Sequence, residues 1–193
     1  MLRRLYDRTL ALAGHRHADG WLAVVSFIES SVFPIPPDVL LVPMVLADRR
    51  RAWRIAAICT VASVLGGLAG YGIGLFLFEQ VGRPLLELYG YAGKFEVFRE
   101  KYAEWGAWAV FIAGITPFPY KVITILSGAA ALDVWVFIVA SVLARGVRFY
   151  LEAALLWRFG EPVRAFIERR LGLLFTIACV LLFGGFALVR FVL

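Results

Sequence analysis

Histidine and cysteine are scarce in this chain, two of each among 193 residues. Where they fall excludes more than their number does. His15 and His17 both precede the first apolar run, so no apolar span offers a histidine for a Ser-His-Asp triad or a metal site at membrane depth. With no cysteine or acidic ligand set nearby they read as surface residues, and no metal or other cofactor is expected. Cys59 and Cys179 lie inside apolar runs, where a free thiol behaves as a small hydrophobe. No disulfide framework is indicated. No cleavable signal is expected either, because residues 1–20 are broken up by Arg3, Arg4, Asp7, Arg8, Arg16 and Asp19. That segment reads as a basic, amphipathic, interfacial one. Ser30 or Ser31 beside Glu29 is a poor nucleophile pair, and the protein is not expected to be an enzyme.

What remains is apolar. Hydrophobic residues make up 62% of the chain and the mean hydropathy is +0.82, which with runs long enough to span indicates an integral membrane protein. The net charge of +6 comes from arginines in short loops between apolar runs, a topology signal rather than a nucleic-acid surface. The compact, cysteine-poor chain suits a bacterial inner membrane, which it would cross several times.

One stretch organises the rest. Glu29-Ser30-Ser31-Val32-Phe33-Pro34-Ile35-Pro36-Pro37-Asp38 sets two carboxylates, two hydroxyls and three prolines inside an apolar run from Trp21 to Ala47. Pro34, Pro36 and Pro37 end any helix begun at Trp21. The arms on either side give about 12 and 13 Å of helix, well short of a hydrocarbon core of roughly 30 Å. Residues 21–47 therefore read as a re-entrant hairpin with a polar tip near the midplane, where broken backbone survives only beside protein or water. Residues 107–132 repeat the plan: apolar arms flank Thr116-Pro117-Phe118-Pro119-Tyr120-Lys121. Each hairpin precedes a long apolar span, residues 55–78 and 134–157. Two broken segments in corresponding positions point to a transporter built from repeats.

Charge sets the orientation. Asp48-Arg49-Arg50-Arg51-Ala52-Trp53-Arg54 and the basic loop 158–170 read as cytoplasmic, while the nearly balanced segment 79–106 reads as extracytoplasmic. The expected architecture is all-α: two re-entrant hairpins in an inverted repeat, each followed by a transmembrane helix, within residues 21–157. A C-terminal transmembrane helix follows at 171–193. Gly66, Gly70 and Gly74, with Ala62, form a small-residue stripe suited to helix packing. Gly70, Gly72 and Gly74 lack the preceding strand that a dinucleotide loop needs.

Ser141, Arg145, Arg148 and Glu152 share one face of the span 134–157. With Glu29, Asp38 and Lys121, six charges are immersed. At roughly 2.5 to 3.5 kcal/mol each in lipid they would cost on the order of 15 to 20 kcal/mol, so they must share a protein-lined cavity. Two arginine forks suit bidentate contact with phosphate, and the tip hydroxyls Ser31 and Thr116, with Lys121, would add donors. Glu29, Asp38 and Glu152 are the candidates for gating or proton exchange.

Glu29-x-Ser31-x-x-Pro34-x-Pro36-x-Asp38, Gly66-Gly67-x-x-Gly70-Tyr71-x-x-Gly74, Gly114-x-Thr116-Pro117-x-Pro119-Tyr120-Lys121 and Arg145-Gly146-x-Arg148 together resemble the DedA family, within the VTT-domain group that includes the SNARE-associated Golgi proteins. The likeness covers about residues 20–160. It implies two facing re-entrant hairpins and a role in moving lipids such as phosphatidylethanolamine or undecaprenyl phosphate, in some relatives driven by the proton-motive force. Glu29 matches the family's hairpin glutamate, Asp38 its acidic partner, and Arg145 and Arg148 its arginine pair. Gly67 stands where many members carry Asp, and the Thr-Pro-x-Pro-Tyr-Lys form marks a side branch. The expected partners are phosphate-bearing membrane lipids, and a homo-oligomer is compatible with these features. A proton-coupled carrier of a small soluble anion and a non-transporting scaffold are the alternatives: a sealed cavity would favour the first, and a dry, fully paired core the second.

Overall fold

The computed structural model describes residues 17–31, 36–88, 90, 92–116, 119–160 and 162, and every regular element among them is helical. The segment 1–16, Pro34, Pro117, most of the loop 158–170 and the span 171–193 lie outside the described residues.

Helix α1, Ala18–Ser31, buries Ala18, Leu22, Ser26 and Ser30, one residue per turn. That inward stripe changes from apolar to hydroxyl along its length. The outward positions Trp21, Val24, Phe27 and Ile28 are exposed, an arrangement that suits lipid outside and polar groups within. Pro37 starts α2, Asp38–Ala47, with a φ of −65° already in the helical range. Inside α2, Pro43 removes the amide that would bond Val39. At the other end of the pair, Asp19 in the first turn of α1 bridges Arg51 at 2.5 Å and Arg54 at 2.9 Å. The start of α1 and the exit from α2 are thereby tied together.

A short turn, Arg49–Arg51, leads into α3, Ala52–Leu77, which ends in a wider π-type turn, Phe78–Gly82. The continuous stretch Arg49–Gly82 and the last described helix, Val134–Gly160, are each long and apolar enough to cross a membrane. Only 39% and 33% of their most apolar windows are buried, whereas the core helix of a water-soluble protein would be mostly covered. The remaining surface is available to lipid.

Glycine decides how α3 is packed. A methyl on Gly66 would collide with the carbonyl of Phe27 on α1. One on Gly74 would collide with the carbonyl of Ile125, on the helix Tyr120–Ala129. Gly70 lies under Thr124 of that helix and under the Ser30 carbonyl of α1. Both helices thus ride against α3 at backbone distance and meet over Gly70.

Two more helices precede Tyr120: α4, Arg83–Leu88, and α5, Ala92–Ile115. Helix α5 runs straight through the composition change at Gly106, from charged residues into an apolar arm. No proline falls between Pro84 and Pro117 to stop it. Helix α6, Tyr120–Ala129, begins behind an extended Pro119. It ends with Ala131 in the left-handed region (φ 51°). The amide of Leu132 there donates to the Ser127 carbonyl at 3.0 Å, and that of Ala131 to Gly128 at 3.0 Å. Asp133 at once caps the next helix, its Oδ1 accepting the amides of Trp135 at 2.9 Å and Val136 at 3.0 Å. That helix, α7, is Val134–Gly160. The Tyr71 hydroxyl of α3 donates to the Leu132 carbonyl at 2.6 Å and pins the corner.

The apolar core has two parts. Leu22, Leu41, Val45, Ile55 and Phe149 belong to one, and Val110, Tyr120, Ile123 and Phe137 to the other. Along α1, α3 and α7 the residues around the junction are polar: Ser26, Ser30, Ser63, Ser141 and Arg145, all buried.

Candidate functional site

Arg145 is the twelfth residue of α7, about 17 Å from its start at 1.5 Å per residue. Its side chain is 0% exposed. Nε donates to Ser63 Oγ on α3 at 2.6 Å, and Nη2 donates to Glu29 Oε2 on α1 at 3.0 Å. Ser30 Oγ donates to the same carboxylate oxygen at 3.0 Å and lies 2.6 Å from Ser63 Oγ. Because the Ser30 proton is committed to Glu29, Ser63 is the donor between the two hydroxyls. A closed ring of hydrogen bonds results, joining three helices. The guanidinium is also flanked by the rings of Tyr120 and Phe149, with centroids 4.8 and 4.6 Å away.

Arg148 is different. Its Nη2 donates to Asp38 Oδ2 at 2.9 Å, and the two side chains are 22% and 32% exposed. Phe149 serves this arginine as well, at 5.7 Å. Asp38 Oδ1 is buried and has no hydrogen-bond partner among the described residues. Half-buried Glu152 lies one turn beyond Arg148 on the same face of α7. It forms no ion pair among the described residues. The four charges at Arg145 and Glu29 and at Arg148 and Asp38 are thus sorted into one sealed pair and one accessible pair, with Glu152 one turn along α7 from the second.

The other sequence-predicted residues are distributed around these pairs. Ser31 is buried, but its hydroxyl turns back to the carbonyls of Phe27 at 3.1 Å and Ile28 at 3.2 Å. Thr116 is half-buried and closes α5 through its amide, which donates to Ile112 at 3.0 Å. Lys121 is half-buried, and its carbonyl accepts the Thr124 hydroxyl at 2.9 Å. No ion pair of Lys121 occurs among the described residues. Thr124 also points that hydroxyl toward the Ser30 carbonyl at 3.3 Å, which joins α6 to the end of α1. Pro36 and Pro37 precede α2 and Pro119 precedes α6, each carbonyl accepting a first-turn amide.

Ser63, Tyr120 and Phe149 were not legible as site residues. Ser63 carried a signal, since it lies three residues before Gly66 and so on the face that receives α1. A phenylalanine beside an arginine carries none.

Comparison with known proteins fixes the family. A family model described as the VTT domain matches residues 35–158. The chain belongs to the VTT-domain family. The VTT match takes in Asp38, Arg145, Arg148 and Glu152 and begins after Glu29. A protein of Haemophilus influenzae, described as uncharacterized, is 37% identical over 165 residues, 86% of this chain and 85% of its own length. An uncharacterized protein of Histophilus somni is 39% identical over 168 residues, 85% of this chain and 87% of its own. No solved structure matches this VTT-domain chain.

Proposed function

We propose that this protein is a lipid translocase of the bacterial inner membrane, carrying a phosphate-bearing headgroup across while the acyl tails remain in the bilayer. The observation that supports this best is the half-exposed Arg148–Asp38 pair beside the sealed Arg145–Glu29 pair. A scaffold needs only the sealed pair. An accessible guanidinium held by an internal carboxylate is a resting anion site: Asp38 occupies the fork until a phosphate replaces it. No covalent bond changes, so the residues exchange ion pairs rather than catalyse a reaction.

The surroundings favour lipid over a soluble anion. Val147, Leu151 and Leu155 on α7 are exposed apolar residues near Arg148 in sequence, a surface along which tails can trail. On this reading α1 and α2 form one re-entrant unit, closed at its base by Asp19 with Arg51 and Arg54. The end of α5 and α6 form the facing unit, and the two touch where Thr124 meets Ser30. Small movements of one against the other alternate access to Arg148.

The test is headgroup translocation in proteoliposomes, with tail-labelled phosphatidylethanolamine and polyprenyl phosphate, comparing wild type with Arg148→Lys. Lysine keeps the charge and loses the planar fork, so the rate should fall about tenfold or more, the worth of one charge-assisted hydrogen bond. Equal rates would remove the fork from the mechanism. No movement of either lipid by folded wild type would turn the assignment toward the soluble anion or the scaffold.

A further inference from the structure

The arginine-rich end of α3 and α7, cytoplasmic by its charge, carries a surface for which translocation has no use. Trp53 on α3 stacks on Tyr150 of α7 with ring centroids 6.2 Å apart and leans on Trp157 at the same distance. Tyr150 and Trp157 lie seven residues apart and so share a face of α7. Two residues turn a helix by about 200°, so that face points away from Arg148. The three side chains are 45, 40 and 48% exposed, which leaves the patch open to the bilayer. A lone tryptophan at this depth marks the headgroup level and no more. Three adjoining rings from two helices make a continuous seat.

Cations frame that seat. Arg54 follows Trp53 and Arg158 follows Trp157 in the chain, and both are exposed. Arg49, in the turn before α3, lies against Gly160 at the end of α7, where a Cβ would meet its Nε at 2.8 Å. The two helix ends are thereby bound into one edge. Arg49, Arg50, Arg51, Arg54 and Arg158 stand there against two carboxylates among the described residues. One is Asp19, shared by Arg51 and Arg54. The other, Asp48, accepts the Arg50 amide at 3.0 Å. Deeper along the seam Gly146 brings α7 to within 4.0 Å of the Thr60 methyl, and Val61 and Leu143 continue the exposed apolar surface.

We infer that the seam between α3 and α7 at this end binds an anionic glycerophospholipid of the cytoplasmic leaflet as a resident ligand. Its phosphate lies on Arg54 and Arg158, its glycerol on Trp53, Tyr150 and Trp157, and its tails along Val61 and Leu143. A zwitterionic headgroup carries an ammonium that the surplus of arginine repels, and a soluble phosphate makes no use of the rings. The site is separate from the Arg148–Asp38 pair, so it stands independently of the translocase reading.

The experiment uses the full chain, delipidated in an uncharged detergent, with phosphatidylglycerol and phosphatidylcholine of the same tails and glycerol 3-phosphate as the soluble headgroup. Lipid retention is read by native mass spectrometry. Wild type should hold phosphatidylglycerol at least about tenfold more tightly than phosphatidylcholine, a conservative value for several arginines worth about fivefold each at an anionic surface. Arg158→Gln should cut that preference about fivefold, Arg158→Lys should keep most of it, and Arg148→Lys should leave it unchanged. Trp157→Leu should weaken both lipids alike. Equal retention of the two lipids by folded wild type overturns the inference. So does a preference lost in Arg148→Lys and kept in Arg158→Gln, which would move the lipid to the other face of α7. Displacement of phosphatidylglycerol by an equal concentration of glycerol 3-phosphate would give the arginines to a soluble anion and overturn it as well.

Discussion

Arg145 and Arg148 share a helix, a charge and a phenyl ring between them, yet one is sealed in a ring of hydrogen bonds and the other is open at its edge. Three residues along a helix advance the direction of a side chain by 300°, so the two point about 60° apart. That angle is enough to turn Arg145 into the junction of α1, α3 and α7 and to leave Arg148 at the rim beside α2. A charge fully withdrawn from solvent depends on fixed partners: Arg145 keeps Ser63 and Glu29 on Nε and Nη2, while its Nη1 is buried with no hydrogen-bond partner among the described residues. One at a rim can trade partners, because water or an incoming anion covers the interval. The same residue type is therefore locked between helices at one position and left partly open at the other.

The sharpest way to break this contrast is to remove the carboxylate of the sealed pair. Glu29→Ala leaves Arg145 buried without its counter-ion and should cost about 3 to 5 kcal/mol of stability, seen as a large drop in melting temperature of the purified protein. An unchanged melting point would mean that the ring does not hold the fold. Next in size is a change that touches no charge. Gly66→Ala drives a methyl into the Phe27 carbonyl, pushes α1 off α3 and should cost about 1 to 3 kcal/mol. Gly72→Ala, with nothing within 4 Å, is the matched control and should not destabilise. If both alanines behave alike, the close approach of α1 is not what positions Glu29. The smallest effect belongs to the open pair: Arg148→Lys should change stability by less than about 1 kcal/mol, as for a partly exposed ion pair, while translocation falls as described above. A melting loss comparable to that of Glu29→Ala would make the two arginines alike after all.

Much of this was visible in the order of residues. Runs of apolar residues indicated the membrane, the tripled proline before Asp38 indicated a break, and Arg145, Arg148 and Glu152 indicated a polar helix face. The pattern could not say which arginine is sealed, because i and i+3 count as one face in a sequence and as two directions in a packed bundle. Ser63 was hidden among the other small residues of α3, and its role depends on how closely glycine lets α1 approach. The unbroken course of α5 was hidden for the opposite reason. Its charged half and its apolar half differ so much in composition that they read as separate segments, although a helix needs only the absence of a breaker to continue from one into the other.

The corner between α6 and α7 leaves almost no slack in the chain. The amides of Ala131 and Leu132, the carbonyl of Leu132 and the cap of the following helix are engaged within residues 127–136, and Tyr71 clasps the corner from outside. Such a corner behaves as a welded elbow and not as a hinge. On the proposed function, a shift of α7 at Arg148 would carry α6 with it, and the Thr124 hydroxyl, at the far arm of the lever, would register it against the Ser30 carbonyl.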